Sequence, residues 1–305
     1  MKFWVVTPSY NQLDWLKLCV ASVADQVSES LQIHHHVQDA CSSDGTTEWL
    51  EGYFQDIKKS SSNNDSDTSG YTFEYSSEND DGMYDAINRG WKLASADVDV
   101  IAHLNCDEQY LPGALQIVAE YFSRNLEKDV VLADMVVVDI NGDYICHRRS
   151  LKPYPIISRL WCAGFTATTF QRGLVTKEKG VFFDTQWKNI GDKVWYNDLH
   201  KASCSFGVLH EFTSVFTDTG DNLNWTAQGR EEGVLYINQY LPILRGNLQM
   251  LQWLSKFNSV RRIVLEMFCK KPCVFSLYRS SEVERVEKRI DTPRGRWGKK
   301  AWKVS

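Results

Sequence analysis

"SENDDGMYDAINRG", residues 77–90, packs five charged residues, two Asn and two Gly into fourteen positions. Met83, Tyr84, Ala86 and Ile87 are spaced among the charges. A solvated charge run lacks such patterning. Gly82 marks a turn, and the apolar spacing beyond it is helical, so a polar loop runs straight into a helix. Such a segment suits a ligand better than bulk water.

The flanking sequence repeats this strand–loop–helix arrangement. "FWVVTPSY" is a short apolar run ended by Pro8, and "LDWLKLCVASVADQ" places Leu13, Leu16, Val20 and Val23 at helical spacing. "LQIHHHVQDA" and "DGTTEWLEGYF" form a second strand and helix, and "YTFEYSSE" and "MYDAINRGWKLA" a third. "VDVIAHLNCDE" is a strand ending abruptly in polar residues, followed by the helix "LPGALQIVAEYF" and the strand "DVVLADMVVVD". Residues 58–70 are low in complexity and read as a loop. Strands alternating with helices predict a mostly parallel sheet covered on both faces, with ligands beyond the carboxyl ends of its strands.

Composition narrows the function. With 305 residues and 43% apolar content a large core can form, and no apolar run approaches the ~20 residues of a membrane span. The opening "MKFWVVTPSYNQ" is too short for a signal-peptide core and reads as a buried strand. Eight scattered Cys without zinc spacing suggest reduced thiols and a cytoplasmic setting. The net charge of −5 is uneven: residues 245–305 hold 15 Lys/Arg against 5 Asp/Glu. An acidic body argues against nucleic acid as a partner.

The strand ends carry the chemistry. Asp107 and Glu108 in "HLNCDEQY" suit Mg²⁺ or Mn²⁺, although an acidic turn is the plainer reading. In "VQDACSSDGT", Asp44 or a neighbouring Ser can cap a helix, whereas Asp39 at the strand tip can accept hydrogen bonds from a nucleobase. His34, His35 and His36 alternate across a strand, so their rings cannot converge on a metal. Neither GxxxxGK[ST] nor GxGxxG occurs, so a bound diphosphate would be held mainly through a metal.

"VVTPSYNQ", "QDACSSDGT", "SENDDGMYDAINRG" and "LNCDE" together resemble the successive signatures of the family 2 glycosyltransferases, notably bacterial members that build surface polysaccharides. The resemblance spans roughly residues 1–220 and implies the GT-A fold, a Rossmann-like nucleotide-sugar-binding sheet. It implies a catalytic domain over 1–225 and leaves 226–305 as a C-terminal, helical, basic extension. By this resemblance Pro8, Tyr10 and Asn11 surround the nucleoside and Asp39 contacts the base. Glu78, Asp80, Asp81, Asn88 and Arg89 approach the nucleotide and the sugar. Asn105-Cys106-Asp107 stands for the family's Asp-x-Asp, with Asp107 on Mn²⁺ or Mg²⁺ and Asn105 replacing an Asp. The catalytic base maps to Asp192 in "FFDTQWKNIGDKVWYNDL", with Asp198 as competitor and His210 a weak candidate for the metal. Six residues apart, Asp192 and Asp198 cannot share a helical face. Trp161 and Phe165 fall on the acceptor side, where they would stack on a sugar or simply fill the core.

The expectation is an inverting, hexosyltransferase-like enzyme. It would use a nucleoside diphosphate sugar, with uridine the family's commonest base, and a glycan or lipid-linked acceptor. The alternative is an inactive nucleotide-sugar-binding scaffold, supported only by Asn105. A sugar nucleotidylyltransferase would resemble a Gly-rich, Arg-containing turn after the first strand, and "TPSYNQ" has neither residue. "LPILRGNLQMLQWLSKFNSVRRIVLEMF" has helical periodicity, and the end of the chain mixes Lys/Arg with Trp297 and Trp302. That mixture suits peripheral contact with an anionic inner membrane face, against a solvated tail or an oligomer contact.

Overall fold

In the computed structural model, residues 1–62, 70–162, 164–220, 227–241, 247–268, 272–279, 284–293 and 295 are described. The first half alternates as expected. Strands β1 (Lys2–Ser9), β2 (Gln32–Asp39), β3 (Tyr71–Ser77) and β4 (Val100–His103) are separated by helices α1 (Leu13–Ala24), α2 (Thr46–Ser62) and α3 (Met83–Leu93). Then come β5 (Glu108–Tyr110), α4 (Ala114–Arg124), β6 (Val130–Asp139) and β7 (Tyr144–Arg148). Short α5 (Pro155–Ser158), β8 (Thr169–Arg172) and α6 (Gly173–Lys177) lead to α7 (Gly191–Lys201) and β9 (Phe206–Asp218). Helices α8 (Ala227–Tyr240) and α9 (Leu248–Phe268) precede a hairpin of β10 (Cys273–Leu277) and β11 (Val286–Ile290).

The large sheet has the order β3-β2-β1-β4-β8-β6-β9-β5, with β7 on β6. Most of its paired residues run parallel, in β3-β2-β1-β4 and in β6-β9. Antiparallel pairs join the two halves through β8 and attach β5 and β7. The sequence pattern did not separate β8 and β9 from their surroundings. β8 is antiparallel to both its neighbours and needs no crossover helix, whereas β9 is parallel to β6 and reached only after a long connection through β7, β8 and α7, so the strand–helix rhythm of the first half is broken.

β1 shows why two layers of helix form. Phe3 and Val5 point to the face covered by Leu16, Cys19, Val20 and Val23 of α1, whereas Trp4 and Val6 meet Tyr84, Ile87 and Trp91 of α3 on the other. Each side chain is nearly inaccessible, and burying one of these sizes is worth roughly 1.5–3 kcal/mol. Pro8 does not end the strand. β4 stops pairing at His103, so the side on which Pro8 lacks an N–H has no ladder left to break.

The histidine triplet divides as strand geometry requires. The ring of His35 bonds Thr7 Oγ1 (2.9 Å) and Tyr71 OH (3.1 Å), while His34 and His36 emerge opposite, both beside Glu74. The seven described cysteines are free thiols.

The extension is not helical throughout. "CVFSL" alternates, and Cys273, Phe275 and Leu277 bury themselves against Leu111, Val136, Val138 and Val215. Arg285, read by composition as part of a basic tail, pairs with Asp25 (2.5 Å) and donates to the Tyr110 carbonyl (2.8 Å). Lys288 pairs with Asp143 (2.5 Å). Trp297, Trp302 and residues 296–305 lie outside the described residues, as do residues 63–69 of the low-complexity stretch and the expected boundary at 225/226.

Gly90 decides how closely α3 approaches β1. A Cβ there would stand 2.6 and 2.8 Å from the two methyls of Val6. Gly90→Ala is expected to destabilise the fold by about 1–3 kcal/mol, read as a lower denaturation midpoint at unchanged m-value.

Candidate active site

The carboxyl ends of β1, β4 and β9 open into a cleft of about 1210 Å³. Pro8, Tyr10, Asp80, Asn105, Asp107 and Asp192 all line it, as do Trp161 and Phe165. Residues more than a hundred positions apart therefore share one wall-to-wall space.

The first two turns brace each other. Asn11, at φ 51°, accepts the Ser43 N–H (2.8 Å) and donates its own N–H to Ser42 Oγ (2.8 Å). Asp44 accepts the Thr46 N–H at the start of α2 and the Leu13 N–H at the start of α1, so one carboxylate caps two helices. Asp39 is fully buried. Its carboxylate accepts bonds from Ser42 N (3.0 Å), Ser42 Oγ (2.5 Å) and Ser77 Oγ (2.6 Å), and it does not line the cleft. Tyr10, by contrast, is 63% exposed and free to lie against a ligand.

Residues 77–90 divide by role. Asp80, Gly82, Met83, Tyr84 and Ala86 line the cleft. Glu78, Asp81, Asn88 and Arg89 do not. Arg89 pairs with Asp85 (2.8 Å) and Glu78 (3.2 Å) outside it. The Asp81 carbonyl accepts Lys188 Nζ (2.5 Å). Asn88 is buried and exchanges two hydrogen bonds with the Phe183 backbone, at 2.8 and 2.9 Å.

Asn105 and Asp107 sit where β4 turns into β5. The Asn105 N–H donates to Glu108 (2.7 Å), and its side-chain carbonyl oxygen is buried without a partner. Burial raises the pKa of both Asp107 and Glu108, and at Glu108 the Asp107 charge adds to the effect. An orphaned amide oxygen beside a partly desolvated carboxylate fits a hard cation. Among the described residues no three His, Cys, Asp or Glu side chains gather at metal-binding distance, so the remaining ligands would come from a diphosphate or water. His210 lies 3.4 Å from buried Asp134, away from the cleft.

Asp192 lies in the first turn of α7 and lines the cleft, whereas Asp198 does not line it and pairs with Lys201 (2.7 Å). Asp192 Oδ1 accepts the Lys193 N–H (2.7 Å), and the Cys162 thiol donates to Oδ2 (3.6 Å). The Asp192 N–H donates to Tyr84 OH (3.2 Å). Burial pushes the Asp192 carboxyl above the usual carboxylate range. Tyr84 reaches this position because Gly191 leaves room: a Cβ on Gly191 would stand 2.6–2.9 Å from the Tyr84 ring.

The turn before α7 is held by a residue the sequence reading passed over. Glu232 of α8 is buried, and its carboxylate accepts the backbone N–H groups of Lys188 (3.1 Å), Asn189 (2.9 Å) and Ile190 (3.2 Å). The extension therefore supports the cleft directly. Glu108, read with Asp107 as a candidate for the cation, lines the cleft, as do Arg148, Lys193, Asp218, Thr219 and Arg262, which carry no part in the sequence reading. Asp218 had a local signal, an acid ending the strand "VFTD". The others depend on pairings that no local pattern reveals.

Residues 4–199 match the model of glycosyl transferase family 2. The chain belongs to that family. No curated protein matches the chain. Among solved structures it is similar to S. aureus TarS 1–349 in complex with UDP-GlcNAc, at 20% identity and a TM-score of 0.57, covering 74% of this chain and 61% of that one. A longer S. aureus TarS structure matches at 19% identity and a TM-score of 0.54 over 73% of this chain, which spans only 38% of its length. The mannosyltransferase PcManGT from Pyrobaculum calidifontis, in complex with GDP-Man and Mn²⁺, matches at 12% identity and a TM-score of 0.54, covering 83% of this chain and 69% of that one. These likenesses establish a shared GT-A-like fold: a large mixed sheet with flanking helices.

Asn88→Ala should leave the Phe183 N–H and C=O without their buried partner and cost about 1–3 kcal/mol. Nucleotide affinity, measured by titration at a temperature where the variant is folded, should be unchanged.

Proposed function

We propose that the protein is a metal-dependent inverting glycosyltransferase that moves a sugar from a nucleoside diphosphate sugar, UDP-linked by preference, to a hydroxyl of a glycan or lipid-linked acceptor. Surface polysaccharide assembly is the setting that suits this chemistry. The observation that carries the reading is that Asp107 and Asp192 line the same cleft while Asp198 lies outside it. Tyr10 and Pro8 border the place for the nucleoside. TarS and PcManGT were solved with nucleotide sugars, which favours the same ligand class here.

Asp107 and the Asn105 side-chain oxygen would hold Mn²⁺ or Mg²⁺, which supplies positive charge to the departing diphosphate. Asp192 takes the proton from the acceptor hydroxyl as its oxygen bonds the anomeric carbon. The bond from that carbon to the phosphate oxygen breaks, and the nucleoside diphosphate leaves with the electron pair. A carboxylate partly stripped of water is a stronger base than an exposed one, and the bonds from Lys193 N–H and Cys162 fix its direction.

Asp192→Asn keeps shape but cannot accept the proton, so transfer should fall on the order of 10²–10⁴-fold with nucleotide affinity nearly intact. The same variant should be more stable than wild type at neutral pH. Burial raises the folded-state pKa, so folding the ionised carboxylate carries a penalty above that pKa, and Asn removes it. Lower melting temperature together with full transfer in Asp192→Asn would sink the assignment. Asp107→Ala should remove the Mn²⁺ dependence of UDP binding while the fold survives, which thermal shift with and without Mn²⁺ reports.

We also propose that the protein is cytoplasmic and rests peripherally on an anionic membrane face. Among the described residues no helix is long and apolar enough to cross a bilayer. On α9, however, Trp253, Phe257, Val260 and Val264 form an exposed apolar stripe, with Lys256 and Arg261 on the same helix. Trp253→Ser with Phe257→Ser should reduce sedimentation with anionic vesicles and leave UDP affinity unchanged. Equal sedimentation by variant and wild type would remove the membrane reading. Deleting residues 296–305 tests the terminal basic cluster without tearing out Arg285 and Lys288, which hold the hairpin to the body.

A further inference from the structure

The cleft wall beside Asp192 is basic. Lys193 follows Asp192 in the first turn of α7, Arg262 arrives from α9, and Arg148 from the end of β7, and all three line the cleft. Arg262 donates to the Cys162 carbonyl (3.5 Å), which places its guanidinium beside the residue whose thiol bonds Asp192. The Arg148 guanidinium lies 5.2 Å from the centre of the Phe165 ring, in the loop that carries the aromatic acceptor-side residues.

Lys193 is the decisive group. Its side chain is half-buried, and its ammonium sits 4.4 Å from the centre of the Tyr236 ring. Among the described residues no carboxylate lies within salt-bridge distance of Lys193 Nζ and none of their polar atoms accepts a hydrogen bond from it. Burial accordingly depresses its pKa. The Asp192 charge acts favourably on this ammonium but does not offset the water it has lost, and an anion brought directly against it from the cleft would restore the loss. The neighbouring Asp192 acts on it through space without bonding it directly, because its oxygens are directed to the Lys193 N–H and the Cys162 thiol.

We propose that the acceptor carries an anionic group, a phosphate or a carboxylate, close to the hydroxyl that is glycosylated, and that Lys193 and Arg262 bind it. The proposal rests on the reading of Asp192 as the base. A base must touch the acceptor hydroxyl, and Lys193 is its immediate neighbour in the same helical turn. The donor diphosphate instead belongs at Asn105 and Asp107, where β4 ends. The anionic group takes no part in bond making. It orients the acceptor and enters the expression for KM more than that for kcat.

The test uses the full chain saturated with Mn²⁺ and UDP, so that the donor's own anion site is filled. Calorimetric titration is then run with glycerol 1-phosphate and glucuronate, and with glycerol and glucose as uncharged controls. At least one anionic probe should bind where the matching neutral probe does not, and which one binds separates phosphate from carboxylate. Lys193→Gln and Arg262→Gln should each weaken that binding about tenfold or more, with UDP affinity close to wild type, and Lys193→Arg should retain most of it. Equal binding of charged and neutral probes, or none by either anion, overturns the proposal. A loss of UDP affinity in Lys193→Gln matching its loss of probe binding also overturns it, by assigning the cation to the donor diphosphate. A wild-type protein that takes up no UDP removes the glycosyltransferase reading and this proposal with it, and the UDP isotherm tells that failure from the others.

Discussion

Everything in the molecule depends on a strand with no solvent face. β1 lies between β2 and β4 and buries alternate side chains under α1 and under α3. A parallel ladder covered on both sides needs crossover helices of fixed hand, which brings successive strand ends to one edge of the sheet. The cleft lies along that edge because helix caps and loops there present unpaired polar groups. Gly90, by letting α3 press against Val6, sets the height of one wall.

The opening stretch behaves differently from its appearance. Its charges suggest a uniform ligand surface, yet Arg89 and Asn88 hold α3 to its neighbours. Tyr84 supplies the link to the chemistry, fitting over Gly191 and accepting the N–H of Asp192. A nucleotide-side motif thus positions the residue proposed to act on the acceptor. Glu232 completes that arrangement from the opposite side, with three backbone donors on one carboxylate. Three charge-assisted bonds to a buried group are costly to lose, so α8 is structurally tied to the turn that lines the cleft.

The cleft is also electrically divided. Asp80, Asp107, Glu108 and Asp218 line it together with Arg148, Lys193 and Arg262. The cation and the group-transfer base proposed for this cleft require different surroundings. The first gains from clustered negative charge, whereas the second gains from burial with a few directed hydrogen bonds. Placing them on different elements lets one space satisfy both.

What the sequence alone determined is local and repetitive. The period of apolar residues marked the elements from β1 to α3, residue types marked the Gly82 turn and a cap at Asp44 or a neighbouring Ser, and strand alternation kept His34, His35 and His36 apart. Helical spacing also separated Asp192 from Asp198 without any coordinates. Tertiary structure decided which polar residues meet. It turned Asp39 inward to Ser42 and Ser77, drew Arg285 from the tail to Asp25, and brought Lys193 and Arg262 to the same cleft. The reason is range: periodicity and capping act within a turn or two of chain. Desolvation and hydrogen bonding act between whatever residues the closed sheet brings within a few ångströms.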